Sequence, residues 1–189
     1  MKKDGIGGAK TVTGLRFEKE VNLLSKIIEV PGYMVVGNKI FYKGKLLAES
    51  YPQAKLYTQF LKDRGINYLD YISKQYRPDE AIYVPEQNTI YIIEMKFQNS
   101  NGSVDEKLQT CDFKRKMYQK VLSKLHINVE YTYLLSSYFD VDRYRDAFEY
   151  MQSVGCDHYF NELPLSWLKF PEPVVLDGQY DPEDVEVSA

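Results

Sequence analysis

The sequence predicts an α/β domain in which a mixed central sheet is flanked by helices. Three observations carry this expectation. Short runs rich in β-branched and aromatic residues, such as "DEAIYV" and "TIYIIEMKF", are bounded by Gly, Pro and Asn. Longer runs between them repeat apolar residues at helical spacing. The two kinds alternate along the chain, the pattern of helices layered on a sheet.

The elements follow in order. "MKKDGIGGAKTVTG" is basic and glycine-rich and reads as a flexible arm over residues 1–14. In "LRFEKEVNLLSKIIEV", Phe17, Val21, Leu24 and Ile28 recur at intervals of 4, 3 and 4, which predicts one helical face closed by Pro31 and Gly32. "YMVVGNKIFYKGKLLAES" predicts one or two short strands with tight turns at "GN" and "KGK". "AKLYTQFLKDRG" predicts a helix closed by Gly65. "DEAIYV" and "TIYIIEMKF", joined by "PEQN", predict an antiparallel hairpin. Val104, Leu108, Cys111, Tyr118, Leu122 and Leu125 predict one long helix from Ser103 to about Leu125, with Ser103 as N-cap and Glu106 completing a capping box. "VEYTYLLSSYF" then predicts a strand, "RYRDAFEYMQSVG" a helix and "DHYFNEL" a short strand. Residues 1–170 read as a single domain and 171–189 as a loose acidic tail, either wrapped on the body or disordered.

Composition narrows the chemistry. No apolar run reaches the roughly 20 residues of a membrane span, and the opening segment lacks a secretory apolar stretch, so the expected compartment is the cytoplasm, with no membrane partner. Cys111 and Cys156 are too far apart for a zinc knuckle and are expected as reduced structural thiols. With only His126 and His158 present, histidine-based catalysis has little to draw on, and the chemistry rests on carboxylates and lysine. Net charge is −3, yet six of the 27 acids lie after Lys169, where no basic residue follows. The body therefore sets 24 basic residues against 21 acids, a mildly basic balance compatible with a phosphate-binding surface.

The run "YIIEMKFQ" places a carboxylate and an ammonium inside an otherwise apolar strand. Alternation puts Ile90, Ile92, Glu94 and Lys96 on one face and Tyr91, Ile93, Met95 and Phe97 on the other, with Glu94 and Lys96 roughly 6–7 Å apart. A face that turns from apolar to charged marks a strand leaving the core for a cleft. Antiparallel pairing through "PEQN" brings Asp79, at the start of the preceding strand, beside Glu94 and Lys96. Two carboxylates with a lysine suit a hard divalent cation, Mg2+ or Mn2+ in its place, and such a cation serves phosphodiester hydrolysis.

Pro78-Asp79, a spacer, and Glu94-Met95-Lys96 together resemble the motif of the PD-(D/E)XK nucleases, and the element order from Leu15 to about Leu135 is similar to their αβββαβ core. The resemblance, to small type II restriction endonucleases in particular, implies a restriction-endonuclease-like fold. It implies a Mg2+-dependent endonuclease acting on double-stranded DNA at a short specific sequence. Asp79 and Glu94 would bind the metal with the backbone carbonyl of Met95, and Lys96 would assist the nucleophile. An acid from the first helix often joins them in this family. Glu18 matches that place, about 100° from Phe17 at the edge of the apolar stripe, and Glu20 on the other side is the second choice. Gln109 corresponds to a Gln that some branches use, although helical spacing turns it toward solvent.

Lys107, Lys114 and Arg115 lie on or beside the apolar face of the long helix, where they can contact phosphates or lay their stems along the core. Tyr76 and Tyr83, flanking Asp79, are the tyrosines best placed to meet DNA. Cutting both strands of a palindrome suits a homodimer, and a monomer nicking twice is the other arrangement. Within the same chemistry the alternative is a repair, recombination or phage nuclease reading DNA structure or ends. Outside it, the alternative is a non-catalytic DNA-binding module of the same fold.

Overall fold

The computed structural model describes residues 10–11, 14–16, 23–97 and 105–175. Its centre is a seven-stranded sheet formed by β3 (Tyr33–Val36), β4 (Lys39–Tyr42), β5 (Lys45–Ser50), β6 (Glu80–Val84), β7 (Thr89–Lys96), β8 (Asn128–Leu135) and β9 (Asp157–Phe160), in that spatial order. Strands β3 to β7 pair antiparallel, and β7, β8 and β9 pair parallel, so the sheet is mixed and changes sense at β7. The parallel pairs require crossovers, which are helical as the geometry favours. One crossover holds α2 (Asp105–Leu108) and α3 (Cys111–Leu122), and the other holds α4 (Arg145–Ser153). Helix α1 (Leu23–Ile28) precedes the sheet.

Each sheet face is covered by its own apolar layer. Ile90 and Ile92 of β7 pack with Leu56, Phe60, Leu108, Tyr118, Val121 and Met151, the layer under the helical crossovers. Tyr91 and Ile93 pack with Leu23, Ile27, Leu163 and Leu168 on the other side. Thr89 to Glu94 are all buried, as expected for a strand covered on both faces.

Several elements differ from the sequence expectation. Gly14–Arg16, which overlaps the start of the run expected as the first helix, forms β2 and pairs with β10 (Glu162–Pro164); residues 17–22, with Phe17 and Val21, lie outside the described residues, and the first helix is described over Leu23–Ile28. Its buried side chains are Leu23 and Ile27, while Ile28 is 56% exposed, so the face on the sheet is rotated from the one spaced through Leu24 and Ile28. The segment expected to hold one or two strands holds three, with left-handed backbone at Gly37, Lys43 and Gly44 closing the turns. The helix after β5 is wound over Leu56–Leu61 as a π-helix.

The expected long helix is interrupted between α2 and α3. The Lys107 carbonyl, which a continuous helix would offer to the N–H four residues on, instead accepts the Thr110 hydroxyl at 2.7 Å and the Tyr133 hydroxyl at 3.0 Å. A hydroxyl from β8 therefore helps break the helix. Ser103 and Val104 lie outside the described residues, as do the side chains of Asp105 and Glu106. The start of the acidic tail lies against the body: Val174–Val175 forms β11 and pairs with β1 (Lys10–Thr11), and Tyr33 donates to the Pro171 carbonyl at 2.6 Å. Residues 176–189 lie outside the described residues. No helix among those described is long and apolar enough to cross a membrane.

Candidate functional site

The hairpin register sets the site. Glu80 pairs with Ile93, so Asp79, the residue just before β6, comes opposite Glu94. The backbone ladder between the two strands ends there, and the Met95 N–H is taken by the Asp79 side chain, donating to Oδ2 at 2.7 Å. On the other flank β7 stays paired with β8, with Glu94 beside Tyr133.

Lys96 lies at the centre of the charges. Its ammonium donates to the Met95 carbonyl at 3.0 Å and to Glu94 Oε2 at 3.2 Å, and it sits 3.6 Å from Asp79 Oδ2. It also lies 5.9 Å from the centre of the Tyr133 ring. Lys114, reaching in from α3, pairs with the other Glu94 oxygen, Oε1, at 3.0 Å. Exposure grades outward across the cluster, from 5% for the Glu94 side chain to 35% for Asp79, so Glu94 is the floor and Asp79 the rim.

Neighbouring tyrosines line the buried side. Desolvation by burial pushes the hydroxyls of Tyr118, Tyr131 and Tyr133 above the ordinary tyrosine range, and the negative charge of Glu94 pushes the same way. They stay protonated, which makes them neutral walls. The Tyr118 hydroxyl donates to the Tyr76 carbonyl at 2.7 Å, and the Tyr57 hydroxyl donates to the same carbonyl at 2.8 Å while accepting the Tyr76 N–H at 2.9 Å. The irregular segment leading into Pro78-Asp79 is thereby pinned to the core.

The fit to a metal can be tested on the donor set. Two carboxylates and one backbone carbonyl, all oxygen, surround a single cationic point, the Lys96 ammonium. Mg2+ binds through one or two carboxylates and keeps several waters, so this set suits it. Among the described residues no group of three or more His, Cys, Asp and Glu side chains gathers to hold a metal. Two acids and a carbonyl are what these residues offer.

The other sequence candidates fall in different places. Glu18 and Glu20 lie outside the described residues. Gln109 is exposed in the break between α2 and α3. Lys107 has an exposed side chain, and only its carbonyl is tied to Tyr133. Arg115 is directed to the other end of the sheet: its guanidinium donates to the carbonyls of Val154 at 3.0 Å and Val129 at 3.4 Å. This is a structural tie, and Arg115 does not reach Glu94. Tyr76 holds its place through its backbone, with its ring against Phe113. Tyr83 packs on Phe60 at the far end of β6, four residues from Asp79.

Sequence reasoning missed Gln53 and Glu80. Gln53 Nε2 donates to Asp79 Oδ1 at 3.1 Å, and its backbone N–H donates to the Pro78 carbonyl at 2.9 Å. It does so from a left-handed backbone, φ 52°. Glu80, on the opposite face from Asp79, is 3% exposed and accepts the Ser50 hydroxyl at 2.9 Å. Desolvation by burial pushes its carboxyl up to about 7. An acid inside "DEAIYV" was a visible sign of Glu80, whereas Gln53 depends on a loop fold that carries no periodic signal.

Comparison with models of protein families, with curated proteins and with solved structures finds no match to this chain.

Proposed function

We propose that this chain is a Mg2+-dependent endonuclease that hydrolyses phosphodiester bonds in double-stranded DNA, in the manner of a small type II restriction enzyme. The observation that carries the reading is the convergence of Asp79, Glu94 and the Met95 carbonyl on one point, the Lys96 ammonium. The order of α1, antiparallel strands ending in β5, β6 and β7, a helical segment and the parallel strand β8 supports an αβββαβ core of the PD-(D/E)XK type. Strands β3 and β4 and the π-helix are additions to it.

In this reading Asp79, Glu94 and the Met95 carbonyl hold the cation. Bound there, it supplies Lewis-acid stabilisation of the phosphoryl oxygens and acidifies a water. Lys96, within hydrogen-bond reach of the Glu94 and Met95 oxygens, would place its ammonium where it can orient an attacking water and offset the negative charge that develops on the phosphate. The buried tyrosines keep bulk water from the floor of the site. Two copies related by a two-fold axis would address both strands of a palindrome. The buried thiols Cys111 and Cys156, both free, fit a reducing compartment such as the cytoplasm.

Plasmid digestion with and without Mg2+ tests the proposal. Discrete fragments that require Mg2+ or Mn2+ and vanish in Lys96→Ala support a sequence-specific endonuclease. A smear points to cleavage without a fixed site. Absence of cleavage on plasmid, nicked and branched DNA with either metal would sink the enzyme reading.

A further inference from the structure

Three oxygens face one point among the charges, and an ammonium stands on it. Lys96 Nζ lies 3.0 Å from the Met95 carbonyl, 3.2 Å from Glu94 Oε2 and 3.6 Å from Asp79 Oδ2. These are the same three groups that the reading above assigns to the cation. An ammonium is a compact positive charge that takes oxygen partners, so Lys96 and a hard metal ion make the same demand on them.

The two cannot share the place. Mg2+ draws its oxygens to about 2.0–2.1 Å, inside the 3.0–3.6 Å at which the ammonium stands, and a second positive charge at that range is repelled. Glu94 has a further partner that makes an exchange tolerable. Its other oxygen, Oε1, pairs with Lys114 at 3.0 Å, and Lys114 meets only that oxygen of the cluster. The buried carboxylate therefore stays compensated when the Lys96 ammonium leaves Oε2 or is removed by substitution.

We infer that Lys96 competes with the divalent cation for these oxygens: its ammonium is a built-in occupant that the metal displaces, so Lys96 sets the metal concentration at which the site fills. This rests on the nuclease reading above. Two opposed effects then belong to one residue. Its charge works against metal binding, and the same charge serves the reaction at the phosphate. A variant without it is expected to hold the metal better and to cut less.

The test measures metal binding, with no need of turnover. Lys96→Met keeps the apolar stem and removes the charge. Mn2+ titrated into the protein without DNA, followed by the electron paramagnetic resonance of free Mn2+, is expected to bind about tenfold or more tightly to this variant than to wild type, because the charge that competes for the same oxygens is gone. Lys114→Met leaves the Lys96 ammonium on those oxygens, and its Mn2+ affinity is expected to rise by clearly less. Unchanged or weaker Mn2+ binding by Lys96→Met overturns the inference. An equal or larger tightening in Lys114→Met overturns it too, since the effect would then be one of net charge and not of place. Lys96→Gln repeats the test should the Met variant melt early. Asp79→Asn and Glu94→Gln separate this inference from the reading beneath it. If neither weakens Mn2+ binding, the metal-centre reading fails and the competition with it, whereas weakening in either without tightening in Lys96→Met refutes the competition alone.

Discussion

Gln53 holds Asp79 from two directions: its side-chain amide donates to Oδ1, and its backbone N–H donates to the carbonyl of the preceding proline. Since Oδ2 is occupied by the Met95 N–H, both oxygens of the rim carboxylate are oriented before any ligand arrives. Outer partners of this kind commonly set metal affinity. Gln53→Ala is expected to weaken Mn2+ binding about tenfold while changing unfolding free energy by less than about 1 kcal/mol, since the lost hydrogen bond is exposed. Isothermal titration and urea denaturation check the two halves, and a variant that loses stability but binds Mn2+ normally contradicts the positioning role.

Glu80 gives the fold a pH dependence of unusual sign. Its carboxyl, pushed by burial from 4.5 up to about 7, favours the protonated form in the folded chain. The stability it contributes is therefore fully present below the unfolded value near 4.5 and is lost as pH rises through about 7. Glu80→Gln removes this titration. Relative to wild type, the variant is expected to gain on the order of 1–3 kcal/mol between pH 4.5 and 8. Denaturant midpoints measured across that range check it, and parallel curves for the two proteins would contradict it.

The tyrosines that pin residue 76 differ in what they hold. Tyr118 gives one hydrogen bond to the Tyr76 carbonyl, whereas Tyr57 gives one and takes one. Tyr118→Phe leaves the carbonyl partnered and is expected to cost about 1 kcal/mol. Tyr57→Phe strands the Tyr76 N–H as well and is expected to cost about 2–3 kcal/mol. Chemical denaturation of both variants tests the order, and an equal cost would show that the amide has another partner.

Cys111 and Cys156 are both fully buried. A thiol reagent such as dithionitrobenzoate is expected to react with neither in the native protein and with both in about 6 M guanidinium, since access needs opening of the core. Rapid reaction of one thiol under native conditions would place it on a surface that opens locally.

The parts of this fold that local rules govern were legible in the sequence. The two-residue period of β7 and the "PEQN" turn suffice to bring Asp79 beside Glu94 and Lys96, because register follows from counting back from the turn. The mixed sheet likewise follows from a hairpin succeeded by a helical crossover. The break at Thr110 was only half legible: the Thr110 hydroxyl that takes the Lys107 carbonyl is local, but the Tyr133 hydroxyl that shares it comes from more than twenty residues away. The buried face of α1 was misread because Leu24 and Ile28 were read as its core positions, whereas the residues one position earlier, Leu23 and Ile27, are the ones packed under the sheet. Gln53 and the direction of Arg115 are set by loops and by a distant carbonyl, and neither leaves a periodic trace.

The Met95 amide has a property that its neighbours in β7 lack. Its proton is bonded to a titratable side chain that is also the proposed metal ligand. In a proton–nitrogen correlation spectrum, the Met95 signal is therefore a reporter placed inside the site, sensitive to what Asp79 binds. Occupancy of the site could be followed at that single resonance, with no substrate, no turnover and no label beyond nitrogen-15.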